Sequence, residues 1–228
     1  MSHFVAVVLV PPKDKNILKT VERLMKPYDE AIEVKEYDDK CWCIGKKAEH
    51  HAFDIANKKK DIKVLRSEYD ALPETQRPAW SEFISEWESD MNKAIGKHPL
   101  RGKPDPRCDS CKGTGTMKST YNPKSKWDGW RVGGRWDGEI LGDSVQSSNG
   151  FNFSGNHESL EHNMAKVKKI HKDFKAFAVV TPDGEWHQEA KMGWFGITSG
   201  ENTNWEADYK KIMAKYGDHW AVSVDCHI

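Results

Sequence analysis

The chain has 228 residues, with 35 Lys and Arg balancing 35 Asp and Glu, so its formal net charge is zero. That length can bury a substantial core, as one large domain or two small ones. Zero net charge excludes a general polyanion binder, and the lack of an apolar run of about 18 residues excludes a transmembrane helix.

Hydrophobic residues make up only 37% and charged residues 31%, which points to much solvated helix surface. Ten tryptophans offset this, because each buried indole removes a large apolar area from water. Seven of them fall at or after Trp127, so the carboxyl-terminal half is expected to hold the aromatic core or an aromatic pocket. Met1-Ser2-His3 leads directly into a strand, without the charged and apolar regions of a signal peptide. Five cysteines, an odd number, suit a reducing compartment better than a disulfide framework. The expectation is a cytoplasmic protein.

In chain order, His3 to Val10 (HFVAVVLV) is apolar at every position after His3, as in a strand buried on both faces. Ile17, Val21 and Leu24 recur at helical spacing, and Pro27 closes that helix. Ile32 and Val34 alternate with Glu33 and Lys35, as on a short strand. This opening, residues 1–45, reads as β-α-β, the first half of a ferredoxin-like fold. Residues 46–96 are helical and highly charged, with an apolar stripe through Trp80, Phe83, Ile84, Trp87, Met91 and Ile95; they read as a helical insertion.

Residues 97–157 hold a Cys108-x-x-Cys111 knuckle and a Trp/Arg-rich segment. A strand, a Gly133-Gly134 turn and a second strand are expected over Trp127 to Leu141, then a loop over Gly142 to Asn156. Residues 158–228 begin with a helix through Leu160, Met164, Val167 and Ile170. A hairpin follows about Pro182-Asp183-Gly184, then a helix through Trp205, Tyr209, Ile212 and Tyr216, and a last strand from His219 to Ile228. The whole predicts an α+β fold in a single domain. Its ferredoxin-like antiparallel sheet is built from both chain ends, with the helical insertion and a small cysteine-knuckle region added.

Three constellations carry chemistry. Cys108 and Cys111, followed by Lys112-Gly113-Thr114-Gly115, form half of a zinc site. Cys41 and Cys43 are the available second pair, with His50, His51 and His98 as possible substitutes. The alternatives are structural zinc or free thiols in a turn.

The segment Lys126-Trp127-Asp128-Gly129-Trp130-Arg131-Val132-Gly133-Gly134-Arg135-Trp136 is the candidate ligand site. Indole faces stack on bases, and guanidinium groups take phosphate or carboxylate oxygens. The competing reading makes Trp127, Trp130 and Trp136 core, with Lys126, Arg131 and Arg135 packed over them.

On the last strand, Ser223, Asp225 and His227 share one face; on the hairpin, Glu185, His187 and Glu189 do the same. Together these could hold a divalent metal or serve as acid and base, unless they are only the wet face of a sheet. No P-loop, dinucleotide-binding glycine motif, nucleophile elbow or paired His-x-Thr/Ser is present.

Four stretches carry a resemblance: CDSCKGTG (Cys108–Gly115), TYNPKSKWDGWRVGGRW (Thr120–Trp136), VVTPDGEWHQEAKMGWFG (Val179–Gly196) and VDCHI (Val224–Ile228). In these the chain resembles a family of proteins encoded in bacteriophage and prophage genomes. The resemblance implies an accessory protein acting in a host bacterial cytoplasm and specifies no activity.

Three functions follow from these residues. The first is binding of a small anionic, nucleotide-like ligand or a host protein in a basic Trp/Arg-rich cleft; extended duplex nucleic acid is disfavoured. The second is a metal-dependent hydrolase or nuclease using Glu185, His187, Asp225 and His227. The third is an interaction protein with structural zinc only.

Overall fold

A computed structural model describes residues 2–143, 159–192 and 198–228. In chain order the strands are β1 (His3–Val10), β2 (Tyr37–Lys40), β3 (Thr116–Ser119), β4 (Gly129–Val132), β5 (Met164–Lys166), β6 (Ala178–Val180), β7 (Trp186–Gln188), β8 (Lys191–Met192), β9 (Thr198–Ser199) and β10 (Trp220–His227). The α-helices are α1 (Ile17–Met25), α2 (Lys46–Lys59), α3 (Ile62–Ala71), α4 (Trp80–Phe83), α5 (Ser85–Lys97), α6 (Leu160–Asn163) and α7 (Trp205–Lys215). The fold is α+β, as expected. Among the described residues no helix is long and apolar enough to cross a membrane.

The chain divides into two compact units, one of residues 1–34 and 121–228, the other of residues 35–120. The first is built on a mixed sheet in the order β4-β10-β1-β6-β7, with β5 also on β10. Its centre joins the two ends of the chain: β1 and β10 run antiparallel from His3↔His227 to Val10↔Trp220. Both strands are almost wholly buried, and each face has its own core.

On one face Phe4, Ala6, Val8 and Val10 meet Val21, Leu24 and Met25 of α1. On the other, Val5, Val7 and Leu9 lie in a core to which Trp205, Tyr209 and Ile212 of α7 add their partly buried faces. The two-residue period of the strands and the 3.6-residue period of the helices explain this division. Each fully buried Leu, Val or Met on α1 contributes about 1.5–3 kcal/mol. The helix begins at Asn16, whose side-chain oxygen accepts from the Lys19 N–H at 3.3 Å.

Several expected elements differ. Ile32 and Val34 form no strand, so the opening β-α-β unit is not made; the next strand, β2, pairs with β3 instead. The sheet is not purely antiparallel, because β1 and β6 run parallel from Ala6↔Ala178 to Val8↔Val180. Residues 160–169, expected as one helix, form a single turn, a short strand and a 3-10 turn. Pairing of Ala165 with Ala221 of β10 overrides the helical spacing. After Gly133-Gly134 the chain makes two 3-10 turns rather than a second strand. From residue 144 on, the loop expected over Gly142–Asn156 lies outside the described residues.

The second unit holds α2 to α5 between the strands β2 and β3. Trp87 Nε1 on α5 donates to Asn57 Oδ1 on α2 at 3.3 Å, and Lys59 meets Asp90 at 2.7 Å. Apart from cysteines, its buried hydrophobic side chains among the described residues are Ala48, Ala52, Ala56, Leu65 and Ile84. That is a thin core.

Candidate metal centre and ligand cleft

The four cysteines singled out in the sequence come together. Antiparallel pairing of β2 with β3, Tyr37↔Ser119 to Lys40↔Thr116, sets the chain just after β2 beside the chain just before β3. The Cys41 N–H donates to the Gly115 carbonyl at 2.9 Å, closing the two knuckles onto each other. Within the second knuckle, Lys112 N–H bonds the Cys108 carbonyl at 2.8 Å, and the chain turns through positive φ at Lys112, Gly113 and Gly115. A side chain at Gly113 would also lie 3.2 Å from the Pro106 backbone. The glycines after Cys111 are thus required by the turn.

Cys41 Sγ lies 3.6 Å from Cys108 Sγ, and Cys43 Sγ lies 3.5 Å from Cys111 Sγ. All four sulfurs fall within 4.8 Å of one another, and all four residues are buried. These distances are too long for disulfides, whose S–S bond is about 2.05 Å. They suit a tetrahedron of sulfurs about 3.8 Å apart around one ion. Burial raises the Cys43 thiol to about 12. Burial also opposes ionisation of Cys111, yet hydrogen bonds from Gly115, the Cys43 thiol and Gly113 outweigh it and bring Cys111 down to about 6. Four clustered thiols cannot all ionise without a cation among them, and that cation would draw the remaining protons off. The site is compatible with a metal ion. His50, His51 and His98 are not members of it.

The Trp/Arg segment is split by the strand it forms. Trp127 is 6% exposed and belongs to the core, with Trp130 packed edge-on at 6.4 Å between ring centres. Trp127 is therefore no ligand platform. Arg131 stands opposite Asp225 on β10, on the other face from Trp130 and Val132. Lys126 is half-buried, which lowers its ammonium pKa with help from nearby Lys191, and its N–H donates to the Tyr28 carbonyl at 2.8 Å. Arg135 is exposed, but its backbone N–H donates to Asp225 Oδ2 at 3.1 Å. Trp130 and Arg131 take opposite faces of β4, and the residues on either side of Gly129–Val132 leave the strand, so the segment does not gather into one cleft. Of these side chains only Trp136, beyond the double glycine, lines a cavity of the first unit.

Asp225, expected on a polar face with His227, is fully buried, as is Ser223. Its carboxylate accepts from or shares a proton with His3 Nδ1 at 2.8 Å. His227 pairs with Asp128, and the His3 and His227 rings lie 4.9 Å apart. Gly134 makes room for this: a Cβ there would lie 2.5 Å from Asp225 Cβ and Oδ2.

His187 does not join them. On β7 it pairs in register with Val179 of β6, so three strand spacings, roughly 14 Å, separate it from β10. Glu185 stays with His187 at 3.7 Å. His3 was missed in the sequence because its partners lie at the other end of the chain. Its position opposite His227, in the pairing of the first and last strands, was the available signal.

Between the sheet and α7 lies a cavity of about 950 Å³. Aromatic side chains of Trp136, Phe174, Phe177, Trp205 and Tyr209 line it, and Trp205 is fixed by donation from Nε1 to the Ala176 carbonyl at 3.3 Å. His171, Lys172 and Lys175 come from one stretch of its lining, and Glu189 and Glu201 from another. Lys210 and Glu206 on α7 neutralise each other at 2.8 Å. Burial in this wall pushes the Tyr209 hydroxyl up to about 12, so it stays a neutral donor. In comparisons with known proteins, no family model, no curated protein and no solved structure matches this chain.

Proposed function

We propose that the chain is a zinc-stabilised binding protein that takes a small nucleotide-like ligand in the cavity beside α7. The observation that carries this reading is the cavity's lining. A space of about 950 Å³ is the size of a small-ligand site. Its aromatic walls suit a flat ring, Lys172 and Lys175 suit a phosphate or carboxylate, and Glu189 and Glu201 suit the amino groups of a base. The ligand chemistry is that expected from the Trp/Arg segment, but the binding residues are largely others. The resemblance to phage-encoded proteins makes a host bacterial cytoplasm the proposed setting.

Zinc is favoured for the cysteine cluster because an all-thiolate, closed tetrahedral set of this kind is the usual structural zinc site. With all four positions filled by protein, the ion would fold the second unit rather than react. The hydrolase reading has less support. His3 and His227 have their Nε2 atoms shut off from solvent, and Glu185 and His187 lie three strands away. The His3–Asp225 pair reads as a clamp that fastens the first strand to the last.

Isothermal titration of the purified full chain with a panel of purine and pyrimidine mononucleotides tests the proposal. Saturable binding of one of them, weakened roughly tenfold or more in Trp136→Ala, is the expected result. No binding by any of them at about millimolar concentration would refute it.

A further inference from the structure

Trp42 is the most exposed large hydrophobic residue described, at 66%. It sits between Cys41 and Cys43, which are 2% and 4% exposed, so both of its chain neighbours are pinned inside the thiol cluster. Hydrogen bonds from Ile44 N–H to the Cys41 carbonyl (3.1 Å) and from Lys46 N–H to the Cys43 carbonyl (3.2 Å) fix the turn that carries it. The backbone that carries the indole is already fixed, so only its two side-chain torsions are ordered on binding. This makes it a ready stacking surface.

The surroundings of Trp42 are basic. Residues 40–47 and 101–112, which form the two knuckles and their flanks, contain seven Lys or Arg and two Asp. They are tied together by the Gly45 N–H donating to the Lys103 carbonyl at 2.9 Å. Asp105 is occupied by Lys47, at 3.4 Å, and by the Arg107 N–H, at 2.9 Å. Lys40, Arg101, Lys103 and Arg107 are all exposed. Their charge is local, since the whole chain is neutral. Lys46, Lys47 and Lys112 are paired with Glu49, Asp105 and Asp109; an exposed indole carried on the same joined knuckles as the four remaining cations fits bases joined by phosphates better than it fits an apolar protein surface.

We infer that this cysteine-bound pole of the second unit binds single-stranded nucleic acid. One base stacks on Trp42, and the neighbouring phosphates are held by Arg101, Lys103 and Arg107. The inference is independent of the cavity beside α7.

The test is fluorescence anisotropy of a labelled oligothymidylate about a dozen nucleotides long, titrated with the metal-loaded full chain. Binding is expected to weaken as salt rises from about 50 to about 200 mM, with a log–log slope of about −2 for three phosphate contacts. Trp42→Ala is expected to weaken it by roughly tenfold or more, and Trp42→Phe by much less. Lys103→Glu should lower both affinity and salt slope. Metal content measured on each variant separates loss of the platform from loss of the fold. If Trp42→Ala sheds its metal, Trp42→Phe and Lys103→Glu decide. No binding by the wild-type chain at about 100 μM and low salt overturns the inference. Equal binding by metal-loaded Trp42→Ala also overturns it. Preference for a protein partner with no affinity for the oligonucleotide does so as well.

Discussion

Replacing both cysteines of one knuckle, Cys108→Ser with Cys111→Ser, perturbs the second unit where its core is thinnest. Beyond the cysteines, the buried hydrophobic side chains described there are three alanines, Leu65 and Ile84. Leu65 and Ile84 contribute about 1.5–3 kcal/mol each. A structural zinc site supplies about 10–16 kcal/mol of apparent binding energy in small zinc-dependent peptides. The two-stranded sheet β2–β3 is short and mostly exposed, and such a ribbon is marginal by itself.

A bound zinc of that strength would outweigh the burial of these few side chains. The double variant is expected to carry no stoichiometric zinc by elemental analysis. It should lose much of the helical circular dichroism of α2 to α5, and be cut by protease within residues 35–120. A strong chelator acting on the wild-type chain should have the same effect. A metal-free variant with unchanged helicity and protease resistance would refute the reasoning.

Other expectations follow from the first unit. Gly134→Ala puts a Cβ 2.5 Å from Asp225 at a backbone φ of +61, and is expected to destabilise by about 2–4 kcal/mol in denaturant titrations. Asp225→Ala removes the buried carboxylate bonded to His3 Nδ1 and the Arg135 N–H, and should cost about 3–5 kcal/mol. Trp127→Ala should cost about 3–5 kcal/mol as a core truncation, whereas Trp42→Ala should change stability by less than about 0.5 kcal/mol. Asp14 is held below the usual aspartate range by the Thr20 hydroxyl and the Asn16 N–H. Because its folded pKa is depressed, the support it gives the start of α1 is present above the ordinary aspartate range and fades as pH falls through the lowered value. Carboxyl NMR titration should show that value rise in Thr20→Val; no change would refute the assignment.

The long regular elements were legible in the sequence because their period is strong. β1, α1, α7 and β10 all lie within a few residues of expectation. So was the meeting of the four cysteines, since Cys41 and Cys43 were the close pair left to join the Cys108-x-x-Cys111 turn. What failed depended on pairing at long range. Ile32 and Val34 alternate correctly but have no strand beside them, while Leu160 to Ile170 have helical spacing but contain Ala165, which is drawn onto β10. The Trp/Arg segment read as one site because its residues are contiguous; β4 divides Trp130 from Arg131, and the turn at Gly133-Gly134 carries Arg135 and Trp136 off the strand. The buried His3–Asp225 pair was hidden because it joins residues 222 positions apart.

The central claim is that a ligand enters the cavity beside α7. The most direct measurement is a two-dimensional ¹H–¹⁵N spectrum of the indole N–H groups, titrated with the mononucleotide that binds best in calorimetry. The ten tryptophans give ten reporters spread over both units. The Trp136 and Trp205 signals are expected to shift saturably with a common affinity, while Trp80, Trp87 and Trp127 stay in place. Saturable shifts that leave Trp136 and Trp205 unmoved would put the ligand elsewhere and contradict the account.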